Sequence, residues 1–225
     1  MPSSASCLFK DRKDAAQQLA RRLAQLRLHH PLILAIPRGA IPIGAVLARK
    51  LQGELDVVLV RKLPSPFDPE YAIGAIDERG NRLVGADYPM TDAGRAWLDR
   101  VAAEQLDVLR QRRADYSGSR PPADPCGRHV VIVDDGLATG ATMAAGLRAV
   151  RTALPLELIA AVPVAAPQSL QHVAALADRM VCLHAPANFA AVSQHYKHFP
   201  QVEQAEAVEL LRQCFAVQTA VSQND

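Results

Sequence analysis

Two adjacent carboxylates, Asp134 and Asp135, follow the apolar run Val130-Val131-Ile132-Val133. They lead into a loop of small residues, Gly136-Leu137-Ala138-Thr139-Gly140-Ala141-Thr142. Four apolar residues in a row read as a strand buried on both faces. A loop running from such a strand into a helix presents unpaired backbone N–H groups and the positive end of the helix dipole. Gly140 lets the backbone come close to a ligand, and Thr139 and Thr142 add hydroxyl donors, so the segment reads as a phosphate cradle. A cradle beside two acids suits a ligand that carries a phosphate together with hydroxyls or a metal ion. Two acids after a strand are in themselves an ordinary turn and helix cap. The order of residue types over the whole of 130–142 favours the ligand-binding reading. The loop has no lysine and no G-x-x-x-x-G-K-[ST] pattern, so it is not a Walker A loop, and no strand is followed by G-x-G-x-x-G.

The elements that must position this loop can be read from hydrophobic periodicity. Asp11–Leu28 has apolar residues at helical spacing, Leu32–Ile36 is a short buried strand closed by Pro37-Arg38-Gly39, and Ile41–Leu51 is helical again. Leu55–Val60 is a second strand, expected to end at Arg61 and Lys62 on the same edge of the sheet, which completes a right-handed strand–helix–strand crossover. Leu63–Pro89 is rich in proline and glycine, with a hairpin expected from Tyr71–Ile76 and Asn81–Val84. Thr91 caps a helix running to about Tyr116. The alternation then resumes, with strands at Val130–Val133, Leu156–Val164 and Met180–His184, helices at Thr142–Leu154, Gln168–Ala177 and Glu203–Phe215, and a frayed tail from Thr219. This pattern predicts an α/β fold with a mostly parallel central sheet of about five strands flanked by helices.

The segment 130–142 resembles the PRPP-binding motif of the type I phosphoribosyltransferases, where PRPP is 5-phosphoribosyl-1-pyrophosphate. Four apolar residues, two acids and a small-residue loop ending Thr-Gly-x-Thr carry the likeness. Pro37-Arg38-Gly39-Ala40, Val60-Arg61-Lys62, Pro69-Glu70-Tyr71-Ala72-Ile73-Gly74-Ala75-Ile76 and Phe189-Ala190-Ala191-Val192 are similar to stretches of a bacterial subfamily that is named by fold and has no assigned acceptor. That likeness covers nearly the whole chain.

The resemblance implies a single domain over 1–217 with a tail at 218–225, a mobile loop or hairpin at 63–89 and a small C-terminal hood at 186–202. It implies Mg²⁺-dependent transfer of ribose 5-phosphate from PRPP to a nucleobase or related nitrogen heterocycle, with release of pyrophosphate. Ala138, Thr139, Gly140, Ala141 and Thr142 would wrap the 5-phosphate, and Asp134 and Asp135 would engage the 2- and 3-hydroxyls. Arg38, Gly39, Arg61 and Lys62 would contact the pyrophosphate. Mg²⁺ would be held mainly by PRPP and water, with Asp134 and Asp135 as the protein's contribution, and with no direct metal cluster. Tyr71, Phe189 and Tyr196 are candidates for the acceptor side, with Glu70, Phe199, His195 and His198 nearby, and packing or surface roles are equally open for these residues. A second reading is a PRPP- or nucleotide-sensing protein of the same fold without turnover. Two departures stand out. Ala138 occupies the place of an acid in 6-oxopurine enzymes of the family, which argues against a hypoxanthine or guanine acceptor, and Ser193 stands where glycine is expected in the hood.

Composition bounds the partners. The chain has 225 residues, 49% apolar and 21% charged, with net charge +2 in short scattered clusters and no basic tail, so no nucleic-acid partner is expected. Cys7, Cys126, Cys182 and Cys214 form no C-x-x-C pair and are expected to be reduced. Met1–Asp14 has no signal-peptide core, and Leu158–Pro167 is too short to span a bilayer. A cytoplasmic protein without membrane contact is expected, and by resemblance a homodimer.

Overall fold

In the computed structural model the described residues are 7–68, 71–85, 88, 91–118 and 120–222, so Pro69 and Glu70 lie outside them. Five strands, β1 (Leu32–Ala35), β2 (Glu54–Val57), β6 (His129–Val133), β7 (Glu157–Val164) and β8 (Arg179–His184), form one sheet in the order β2-β1-β6-β7-β8. Every neighbouring pair in it is parallel. Alternate residues of each central strand enter different apolar layers. Ile33, Ala35, Val131, Val133, Ile159 and Ala161 pack on one face, while Leu32, Leu34, Val130, Ile132, Leu158 and Ala160 pack on the other. A strand buried on both sides needs an unbroken apolar run, which is the pattern these segments carry.

Helices α1 (Arg12–Ala24), α2 (Ile41–Leu51), α3 (Asp92–Ser117) and α6 (Gln204–Ser222) supply the first layer through residues such as Leu19, Leu47, Leu109 and Leu211. Helices α4 (Ala141–Arg151) and α5 (Pro167–Ala174) supply the second through Met143, Leu147 and Val173. The split follows from topology. From β1 the chain steps outward to β2 through α2, and from β6 it steps the opposite way to β7 through α4. Crossovers of one hand running in opposite directions put their helices on opposite faces. The reversal lies between β1 and β6, where open parallel sheets bind ligands.

A second sheet of three antiparallel strands, β3 (Val60–Pro64), β4 (Ala72–Asp77) and β5 (Arg82–Val84), contains the expected hairpin. Asp77 closes its β4–β5 turn by accepting from the backbone N–H groups of Arg79 and Asn81 at 2.9 and 2.8 Å. Here the chain departs from expectation. β2 ends at Val57, and Arg61 and Lys62 belong to β3, opposite Ile76 and Ala75 of β4. Pairing with β4 takes this segment out of the parallel sheet, so the basic pair does not extend the second strand. The last helix also outruns its expected end. α6 reaches Ser222, because no proline or glycine in Gln213–Ser222 interrupts it. Among the described residues no helix is long and apolar enough to cross a membrane, and all four cysteines are free.

Candidate functional site

β1 and β6 are in register up to Ala35 opposite Val133, and the Ile36 N–H donates to the Val133 carbonyl at 3.0 Å. The turn 37–40 and the loop 134–140 therefore leave adjacent strands at one level and face each other. The first is a tight turn in which the Ile41 N–H donates to the Arg38 carbonyl at 3.1 Å, with a cis peptide between Pro37 and Arg38. The N–H groups of Arg38 and Gly39 have no protein acceptor among the described residues.

The second loop has the build its sequence predicts. Val130 to Val133 are fully buried, while Ala138, Thr139 and Thr142 are exposed. Leu137 anchors the loop to β7, its N–H donating to the Val164 carbonyl at 2.8 Å. Gly140 caps α4 with a left-handed backbone, φ 75°, which a side chain would strain. The N–H groups of Ala138, Thr139, Gly140 and Thr142 have no protein acceptor among the described residues, and that of Ala141 reaches only the Thr139 hydroxyl, at 3.4 Å. A surface turn with several free N–H groups at a helix start is a site for an anion.

The acids are held from several sides. The Asp135 N–H donates to Asp134 Oδ1 at 2.8 Å. Asp135 Oδ2 accepts from Arg12 Nε and Nη2 at 3.0 and 2.9 Å. Gly39 is packed so closely on that carboxylate that an added Cβ would overlap Oδ2. This contact, more than turn geometry, requires glycine at 39. Burial raises the pKa of Asp134 well above the usual carboxylate range, and repulsion from Asp135 adds to it. Burial raises that of Asp135 too, and the Arg12 guanidinium opposes the rise.

The C-terminal segment closes over this loop. A Cβ on Gly136 would overlap the Val192 side chain, and the Tyr196 hydroxyl donates to the Asp135 carbonyl at 2.7 Å. Tyr196 is 4% exposed, with its ring between Phe9 and Phe199 at centroid distances of 5.2 and 4.7 Å. Of its two open roles, this packing supports the structural one. Phe189 stacks on His195 at 5.3 Å, and the buried His195 Nε2 has no partner among the described residues. Phe9, just before α1, pairs with this segment. Its N–H donates to the His195 carbonyl at 3.0 Å and its carbonyl accepts from the Lys197 N–H at 2.9 Å.

An open cleft of about 360 Å³ lies beside the acids, bounded by Arg12, Arg38, Gly39, Asp135, Phe199 and Val202. The structure thus brings Arg38, Gly39 and Asp135 around one cleft, with Asp134 and the turn 138–142 adjoining Asp135 in the chain. Arg61 is turned to α3, its Nε donating to Gln105 Oε1 at 2.8 Å, and Lys62 is exposed. Tyr71 is 64% exposed at the foot of β4, and its carbonyl accepts from the Ser65 N–H at 2.8 Å. Arg12 is the residue that sequence reasoning missed. It sits 123 positions from its partner in the chain, and one arginine at a helix start gives no local signal of such a contact.

A family model described as phosphoribosyl transferase domain matches residues 8–198. Two proteins of Mycobacterium tuberculosis, each named a "putative phosphoribosyl transferase", are 42% identical over 205 residues. That match covers 91% of this chain and 46% of each relative, so the chain spans about half their length. The crystal structure of the Thermus thermophilus protein TT1426 superposes with a TM-score of 0.83 at 43% identity, covering 91% of this chain and 98% of that one.

Proposed function

The chain belongs to the phosphoribosyl transferase domain family, and on that premise we propose that it transfers ribose 5-phosphate from PRPP to a small nitrogen base and releases pyrophosphate. The observation that carries this reading is the turn 138–142, exposed at Ala138, Thr139 and Thr142, with its free N–H groups beside the half-buried acids of 134–135. In this reading the turn holds the 5-phosphate, where a helix start favours negative charge. Asp134 and Asp135 receive the ribose hydroxyls. Their carboxylates also face a sugar that gains positive charge as the anomeric bond breaks, as in glycoside chemistry. The free N–H groups of Arg38 and Gly39, with the Arg38 guanidinium, meet the pyrophosphate from across the cleft.

Among the described residues no group of three or more acids, histidines or cysteines is arranged to cage a metal ion. Two neighbouring carboxylates, one of them with an oxygen committed to Arg12, fit an ion that is carried mainly by ligand oxygens and water, the usual habit of Mg²⁺. Bound in this way, Mg²⁺ would neutralise charge on the departing pyrophosphate.

Closure over the ligand falls to the β3–β4 connection in this reading, where Phe67 is 91% exposed, because the far turn of the hairpin is pinned by Asp77. Lys62, Tyr71 and Phe189 act with that closure on the pyrophosphate and acceptor sides. The protein works in the cytoplasm as a homodimer, without nucleic acid.

The test is to incubate the purified chain with PRPP, Mg²⁺ and a panel of nucleobases and related heterocycles, and to measure pyrophosphate. Acceptor-dependent release is expected. PRPP binding without release for any acceptor would overturn transfer and leave a sensing role.

A further inference from the structure

Asp135 offers the cleft one oxygen, not two. Oδ2 is enclosed by Gly39 and by two N–H groups of Arg12, whereas Oδ1 has no protein donor among the described residues. Arg12 is itself fixed, with 10% of its side chain exposed. Its Nη1 donates to the Pro200 carbonyl at 2.7 Å, and its guanidinium lies 3.7 Å over the Phe199 ring. All three nitrogens of this planar group therefore donate to the protein, and one face is covered by an aromatic ring. A guanidinium locked on three sides makes a rigid mount for the carboxylate it touches. It also joins three stretches remote in sequence: the start of α1, the acids after β6, and the segment at 199–200.

We propose that Arg12 is a positioning residue for the sugar-binding carboxylate, turning Asp135 so that Oδ1 alone meets a ribose hydroxyl and coupling that orientation to the C-terminal segment over the site. The inference rests on the PRPP reading above. Arg12 does not touch the sugar; it acts through Asp135. Its effect should therefore depend on what the ligand offers to Asp135. Inorganic phosphate uses only the turn 138–142 and ignores the mount, whereas ribose 5-phosphate uses both.

The experiment titrates ribose 5-phosphate and inorganic phosphate by calorimetry into the full chain, into its Arg12→Gln and Arg12→Lys variants, and into each of these combined with Asp135→Asn. Arg12→Gln is expected to weaken ribose 5-phosphate about tenfold, the scale of one charge-assisted hydrogen bond. Inorganic phosphate should stay within about twofold, since the turn keeps all its donors. Arg12→Lys should recover part of the loss, because it keeps the charge and gives up the fork. In the Asp135→Asn background, Arg12→Gln should cost ribose 5-phosphate nothing further. Equal loss for both ligands, the same loss with and without the Asp135 carboxylate, or no loss would each overturn the proposal. Arg12→Gln leaves a buried carboxylate without its cation and can unfold the chain. Arg12→Lys and the Arg12→Gln/Asp135→Asn pair, which leave no such charge, then carry the same comparison. Titration of PRPP with Mg²⁺ into the unaltered chain separates the two levels. Failure there removes the PRPP reading and this inference together, while binding there with indifferent variants removes only the role of Arg12.

Discussion

Asp134 and Asp135 stand side by side at a strand end, both with raised pKa values because burial disfavours their charge, and Asp134 also because of its neighbour. Such a pair costs the folded state something that a ligand can return. Asp134→Asn keeps the Oδ1 acceptor that receives the Asp135 N–H and removes one of two like charges. It should hold or raise the thermal midpoint while weakening PRPP binding, a trade of stability against function that calorimetry and a melting curve measure together. Gly39→Ala should do the reverse of a neutral change. Its methyl group would overlap Asp135 Oδ2, and either the turn or the carboxylate must move. Destabilisation of about 1–3 kcal/mol in a denaturant titration is expected, together with loss of PRPP affinity.

The hairpin sheet, β2 and α3 meet at a buried ionic knot. Arg113 of α3 donates to Asp56 of β2 at 2.6 Å and to the Val57 carbonyl at 3.0 Å, and pairs with Glu78 in the β4–β5 turn. Asp56 also accepts from the Ala123 N–H at 2.8 Å. Arg113→Met leaves the buried Asp56 and the half-buried Glu78 without their shared cation and should cost about 3–5 kcal/mol in chemical denaturation. Much of the element map could be read from sequence. The run Val130–Val133, the capping Thr91 and the helix Ile41–Leu51 each carry a local period or cap that tertiary contacts do not override. The course of the turn 138–142 was legible for the same reason, since strand, acids, glycines and threonines are contiguous. The departure of Val60–Pro64 into another sheet was not, because nothing within Val-Arg-Lys-Leu-Pro marks a change of sheet and the choice is made by its partner β4. Arg12 and Arg113 were invisible for a related reason. Their partners lie far away in the chain, and an arginine among the charges of a helix reads as solvated.

At the level of the whole molecule, two apolar layers hold one parallel sheet, and the described cysteines form no disulfide. Stability thus comes from packing, while the ion proposed for catalysis belongs to the ligand. Adding a chelator should leave the melting curve of the free protein in place and abolish the PRPP-dependent rise in its midpoint. A fall in the midpoint of the free protein would reveal a structural metal instead. The clasp between the two ends of the domain also orders events in time. Phe9, from the start of the chain, is gripped by His195 and Lys197, and Tyr196 between them holds the Asp135 carbonyl. On the ribosome the turn 138–142 emerges well before that clasp exists. A nascent chain halted before residue 190 would carry the strand and its glycine loop with the Asp135 carbonyl not yet held by Tyr196 and Arg12 not yet held by Pro200, so the proposed sugar site would be complete only once residue 200 had joined the fold.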